Sequence, residues 1–309
     1  MESRALRGRP RLDRRACSNG ATHQRGRPVR VYLSVDLEGI AGVSHPNPTA
    51  RTDSGYADAV RLMVGETNAA VDGALAAGAT DVLVNDSHGG MYNLTPADIH
   101  PQARLLQGQK AWSMVAGAER PTDGRDWEPF DVALFVGYHA RAGHGTGTIA
   151  HTFSGRPVET RLNGRPTGEY GLNGAALGSW GIPVGMVTGD DALAAEVAEW
   201  LPWAERVVVK QGHGTNAAAS LHPERARALI GEAAERAVRR AAAGELKPLR
   251  LDPPVVIEVE YRRGVEADFA AIVPGAERVG DRGVRFEAPD AVTAYRGFLA
   301  GVRLASTTD

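Results

Sequence analysis

The chain has 309 residues, 43% of them hydrophobic and 23% charged, with a formal net charge of −2, enough for one large α/β domain or for a domain plus a smaller lobe. That balance and an aromatic content of 6% argue against a nucleic-acid or membrane-surface partner. The single cysteine, Cys17, excludes an intrachain disulfide, a thiolate nucleophile in the folded part and cysteine-based zinc sites, and no apolar run reaches membrane-spanning length.

Residues 1–28 carry Arg4, Arg7, Arg9, Arg11, Arg14, Arg15, Arg25 and Arg27 with almost no large apolar side chains. Such a segment cannot bury a core and reads as a disordered, dispensable leader. It lacks the apolar stretch of a secretory signal, so a cytoplasmic protein is expected. The core follows over 29–247. Val31, Leu33 and Val35 alternate with Tyr32, Ser34 and Asp36, the period of a short strand. Asp36 and Glu38, two apart, share a face, and Gly39 and Gly42 break the strand. Two adjacent carboxylates repel unless something positive joins them; the alternatives are a divalent metal and plain solvation at a loop start.

A loop with Pro46 and Pro48 leads to a helix from Tyr56 to about Ala77, with Val60, Met63, Val64, Thr67, Val71, Ala74 and Leu75 on its buried stripe. Four further apolar runs follow: 81–84 into Asn85-Asp-Ser-His88, 132–136 into Gly137-Tyr-His139, 182–187 into Thr188-Gly-Asp-Asp191, and 206–209 into Lys210. Strands that each run into polar or glycine-rich residues predict a mostly parallel sheet between two helical layers, with ligands at the carboxyl ends of its strands. Between the third and fourth runs lies an insertion holding His144, His151 and a hairpin at 158–162 that turns on Asn163-Gly164. It continues into a glycine-flanked loop with Glu169 and a small-residue helix near 174–178. A long helix begins near Pro223. Beyond Pro248, residues 248–309 predict a small α+β lobe with no site-like cluster of its own, closed by a helix capped by Asp290.

Asp36, Glu38, His88 and His139 all fall at strand ends that the topology brings to one edge, and Glu169 lies just beyond. Singly, each has an ordinary explanation: a lone loop histidine commonly bonds backbone, and a lone glutamate is solvated. Jointly, carboxylates and imidazoles without thiolate suit Zn²⁺, Mn²⁺, Co²⁺ or Fe²⁺. Five ligands with one bridging carboxylate suit two metals, leaving His151 as a general base, general acid or transition-state stabiliser. Asp190 is a substrate-site candidate but also an ordinary helix N-cap. Lys210 either neutralises a substrate carboxylate or faces water. The glycine-rich 143–147 opens no helix, so a dinucleotide site is excluded.

Residues 34–42 (Ser-Val-Asp-Leu-Glu-Gly-Ile-Ala-Gly), 84–88 (Val-Asn-Asp-Ser-His), 137–141 (Gly-Tyr-His-Ala-Arg), 168–173 (Gly-Glu-Tyr-Gly-Leu-Asn) and 188–191 (Thr-Gly-Asp-Asp) resemble, in order and interval, the zinc-dependent D-aminopeptidases of the bacterial dipeptide-transport type. The resemblance implies a centre of two Zn²⁺ per subunit held by Asp36, Glu38, His88, His139 and Glu169, with Asp36 bridging and His151 catalytic. It also implies short D-alanyl peptides as substrates and a ring-shaped homo-oligomer, a decamer. The segment between His139 and His151 is one residue longer than the family pattern, which makes His144 a second candidate for the catalytic role. Another binuclear amidase or esterase is the enzymatic alternative, and a non-catalytic α/β binding module the other.

Overall fold

Strand β1 (Val29–Val35) is an interior strand of the main sheet of the protein, whose computed structural model describes residues 28–308; the arginine-rich leader falls outside them apart from Pro28. In chain order it is followed by α1 (Tyr56–Ala76), β2 (Ala79–Asp86), β3 (Ala103–Leu106) and β4 (Val132–Val136). Then come the hairpin β5 (Pro157–Leu162) and β6 (Arg165–Pro166), α2 (Glu169–Ser179), β7 (Val184–Asp190) and α3 (Asp191–Trp200). β8 (Glu205–Gly212), β9 (Ala218–Ser220) and α4 (Pro223–Ala242) complete the first half of the architecture.

The main sheet has seven strands in the order β3-β2-β1-β4-β7-β8-β9. All neighbours are parallel except the short edge strand β9. β1 is flanked on both sides, Leu33 pairing with Val84 of β2 and Leu134 of β4. Because the side-chain period is two, β1 serves two cores. Val31, Leu33 and Val35 face α1 and α4, meeting Met63, Val71, Ile230 and Ala234. Tyr32 faces the other way, toward Phe135, Leu177 and Val197. The result is the expected three-layer α/β/α arrangement. At Gly73 the α1–α4 packing is so close that a Cβ would lie 2.1 Å from the Gly231 carbonyl oxygen.

The hairpin turn is where Asn163-Gly164 placed it, with φ of 47° and 78°, the positive values that suit those two residues. Three strands carry no clear sequence signal. β3, β9 and β11 (Ala276–Val279) are three or four residues long and lie at sheet edges.

A second sheet, fully antiparallel, has the order β11-β12-β10-β5-β6, with β10 (Val255–Tyr261) central and β12 (Gly283–Ala288) beside it. The helices α5 (Gly264–Ala270) and α6 (Ala291–Ala305) accompany it. The expectation of a lobe built from 248–309 alone is corrected here. β10 is apolar on one face only, and its free edge takes up the insertion hairpin through pairs such as Ile257 with Leu162. No helix of the described residues is long and apolar enough to cross a membrane.

Candidate metal centre

The carboxyl ends of β1, β2 and β4 meet over one spot because the backbone there is unusually close. Gly39 N–H donates to the Gly137 carbonyl at 2.7 Å. A Cβ on Gly39 would lie 1.8 Å from the Tyr138 oxygen, and one on Gly137, at φ 71°, 2.2 Å from the Asp36 oxygen. Only glycine allows this approach, and it carries Asp36, Glu38 and His139 into one buried cluster.

Two groups of three candidate ligands result: Asp36, Glu38 and His88, and His139, His151 and Glu169. His88 Nδ1 lies 3.2 Å from Asp36 Oδ1 and 2.9 Å from Glu38 Oε2. His139 Nε2 lies 3.5 Å from both Asp36 Oδ2 and Glu169 Oε2. One oxygen of Asp36 thus faces each group. Glu169 opens α2 instead of lying in a loop, and its Oε1 accepts the Phe153 N–H at 2.6 Å.

The outer nitrogens fix the tautomers. His88 Nε2 is 3.0 Å from the Thr49 carbonyl, His139 Nδ1 3.0 Å from the Ala140 carbonyl, and His151 Nδ1 2.9 Å from the Ile149 carbonyl. A carbonyl only accepts, so each of these nitrogens carries a proton, and the inner nitrogen is the one that faces the cluster. Among the described residues, the buried His139 Nε2 has no hydrogen-bond partner, and His88 Nδ1 lies within hydrogen-bond distance of Asp36 and Glu38 carboxylate oxygens, which only accept, so that it too carries a proton. Both are the positions a cation satisfies. Two imidazole nitrogens with three carboxylates, held by such outer partners, fit zinc.

Electrostatics point the same way. Burial works against the Asp36 charge, yet the neighbouring His139 and His88 hold its carboxyl well below the usual carboxylate range. Against the same burial, Glu38 and Asp36 push His88 up to about 12, and Glu169 and Asp36 raise His139. Buried carboxylates here require nearby positive charge, and protons on the histidines are what metal binding displaces. Below the cluster, Asn173 Nδ2 donates to Tyr138 Oη at 3.1 Å, which donates to Ser34 Oγ at 2.7 Å, which lies 2.8 Å from Ser87 Oγ. This buried chain braces the ends of β1, β2 and β4 from the far side.

A sequence profile described as D-aminopeptidase matches residues 29–300. The D-aminopeptidase of Bacillus subtilis (strain 168) is 36% identical over 285 residues, covering 91% of this chain and 99% of the relative. A solved structure, the Zn-dependent D-aminopeptidase DppA from Bacillus subtilis, described as a self-compartmentalizing protease, superposes with a TM-score of 0.84 at 35% identity, again over 91% and 99% of the two chains. The chain belongs to the D-aminopeptidase family. A binding module or an unrelated binuclear amidase is correspondingly disfavoured.

Within this D-aminopeptidase fold, the two substrate-site candidates have other work. Asp190 caps α3 with Oδ1 accepting Leu193 N–H at 2.8 Å, while Oδ2 accepts Thr148 N–H at 2.7 Å. Lys210 neither meets water nor reaches the cavity. It is 1% exposed, and its Nζ donates to the Glu38, Ile40 and Val43 carbonyls. It pins the loop that presents Glu38. His144 is also set apart: its Nδ1 accepts the Gly147 N–H at 2.9 Å, tying its own loop. His151, in contrast, lines the site cavity and stacks on His139 with ring centroids 4.0 Å apart.

Sequence reasoning missed the walls. The site cavity, about 150 Å³, is closed by Met91, Met114 and Phe153 and by Leu299, Val302 and Arg303 of α6. Leu299 and Val302 belong to an ordinary apolar stripe at helical spacing and Arg303 follows it as a lone cation, so only the docking of α6 over the sheet edge shows them. Asp86, central in the Asn-Asp-Ser-His motif, holds the loop itself by accepting the Asn93 and Leu94 N–H groups.

Proposed function

We propose that this chain is a zinc-dependent D-aminopeptidase that takes two Zn²⁺ per subunit and releases the N-terminal D-residue, foremost D-alanine, from short peptides. The observation that carries this reading is Asp36, which turns one oxygen to His88 and the other to His139 between two facing ligand groups. Asp36, Glu38 and His88 would hold one zinc, and Asp36, His139 and Glu169 the other; bound there, zinc supplies Lewis acidity toward a peptide carbonyl and toward water.

The chain's own residues account for the rest of the reaction. His151, its Nδ1–H held by Ile149, offers Nε2 as the proton acceptor and hands that proton to the departing amine. Its separation of 3.9 Å from Glu169 Oε1 keeps it beside the cluster without adding to the five ligands. The carboxylates attract the free α-amino group of the substrate. The apolar wall of Met91, Met114, Phe153 and Leu299 keeps bulk water out, which strengthens each charge interaction inside. The self-compartmentalizing assembly of the DppA relative supports a ring-shaped homo-oligomer, a decamer, for this chain too, and cytoplasmic location belongs to the same reading.

Metal analysis and a peptide panel test it. Purified protein is expected to carry two zinc ions per chain and to release D-alanine from D-Ala-D-Ala but not L-alanine from L-Ala-L-Ala. Loss of that turnover on chelation and its return with zinc would support the reading. Zinc at one ion per chain or less, or preference for the L-peptide, would overturn it.

A further inference from the structure

A second cavity adjoins the site cavity across a common wall: Ser113, Leu299 and Arg303 line both. Their charges are opposite. The first cavity is lined by Asp36, Glu38 and Glu169, with Arg303 as its one Arg or Lys. The second, about 560 Å³, is lined by Lys110, Arg296 and Arg303 and by no acidic residue. Lys110 is tethered there by donating to the Asp86 carbonyl at 2.8 Å, so the basic end is anchored to the same strand that presents His88. Arg296 lies over the Trp112 ring, 5.6 Å from its centroid. Among the described residues, no carboxylate pairs with Arg296 or Arg303, although ion pairs are common elsewhere on this surface.

A short peptide with free ends has the same polarity: a cation at one end, an anion at the other, about 3.3–3.6 Å of chain per residue between them. With its amino group among the carboxylates, its backbone runs past Arg303 toward the basic cavity. On the aminopeptidase reading above, we infer that Arg303, backed by Arg296 and Lys110, binds the C-terminal carboxylate of the substrate and so selects short peptides with a free acid end. Arginine suits this task because its planar fork meets a carboxylate with two parallel N–H donors. The carboxylate takes no part in the bond cleavage, and a contact made equally before and during reaction acts mainly on KM.

The test compares D-Ala-D-Ala with its C-terminal amide on the zinc-loaded full chain, wild type and Arg303→Ala. The wild type is expected to prefer the acid by about 10- to 100-fold in kcat/KM, the worth of a charged hydrogen-bonded contact. In Arg303→Ala that preference falls to within about twofold, chiefly through KM on the acid. A wild type that releases D-alanine equally well from acid and amide overturns the carboxylate assignment and leaves the aminopeptidase reading standing. So does an acid preference that survives Arg303→Ala unchanged. Absence of D-alanine release from both peptides overturns the aminopeptidase reading, and this inference with it. Should Arg303→Ala not fold, the wild-type ratio decides alone, and Arg296→Ala is expected to lower it in part.

Discussion

The two sheets of this protein use charge in opposite ways. The parallel sheet sends the ends of β1, β2 and β4 to one edge, and Asp36, Glu38, His88 and His139 collect there, each buried. The antiparallel sheet disperses its charges along strands that alternate direction, and they pair off locally, Arg161 with Glu159, Arg282 with Glu260, Arg285 with Glu287. A parallel arrangement forces like ends together, so polar groups accumulate and call for a cation. An antiparallel one offers each charge a cross-strand or same-face neighbour. Among the described residues, the second sheet carries no candidate ligand group of its own, and its contribution to the site is the wall that α6 lays over the first.

The contrast breaks most sharply at Asp36. Asp36→Ala is expected to lose more metal than any other single ligand change, because it removes the one group facing both trios. Activity should fall by more than the about 10–100-fold typical of outer metal-site partners. Metal content decides: if Asp36→Ala keeps both ions while Glu169→Ala empties the site, Asp36 does not bridge.

Next in size is His151→Ala, expected to lower kcat by about 10²- to 10⁴-fold while both metals and KM stay near wild type. His144→Ala should have only a small effect, since its ring ties a loop outside the cavity. Steady-state kinetics with metal analysis on both variants checks this, and inactivation by His144→Ala alone would move the catalytic role to that residue.

Glu66 sharpens the comparison beneath the site. Burial raises its carboxyl from 4.5 to about 7, against the Ala41 N–H and the charges of Lys210 and Arg227. An acid whose folded pKa is raised binds more protons folded than unfolded, so stability falls as pH rises from about 4.5 to about 7 and is level above. Glu66→Gln retains an acceptor for Ala41 and removes this titration. The stability of the variant relative to wild type should therefore rise between pH 5 and pH 8, by on the order of 2–3 kcal/mol. Denaturant unfolding at both pH values tests it; a difference independent of pH would show that Glu66 stays ionised.

The smallest effect is expected on the second sheet. The Arg282–Glu260 pair is about half exposed on both sides (47% and 45%), so Arg282→Ala should cost less than about 1 kcal/mol and leave zinc content unchanged. Loss of metal from that variant would mean that the two sheets are electrostatically coupled.

Much of this was legible in one dimension. Apolar runs ending in Asp36, His88 and His139 follow from the period-two pattern, and a parallel sheet places such ends together whatever the details. The Asn163-Gly164 turn is equally local, since it depends on the φ > 0 tolerance of two residues. Lys210 and Asp190 show where one dimension stops. A lysine and an aspartate at strand ends look like substrate contacts until three backbone carbonyls claim one and two N–H groups the other. Sequence determined which residue types reach the sheet edge. Only the tertiary structure decided which of them keep a lone pair or charge unspent, because backbone groups from distant segments compete for the same hydrogen bonds. It alone docked α6 over that edge, since a helix with an ordinary apolar stripe carries no mark of the surface it will cover.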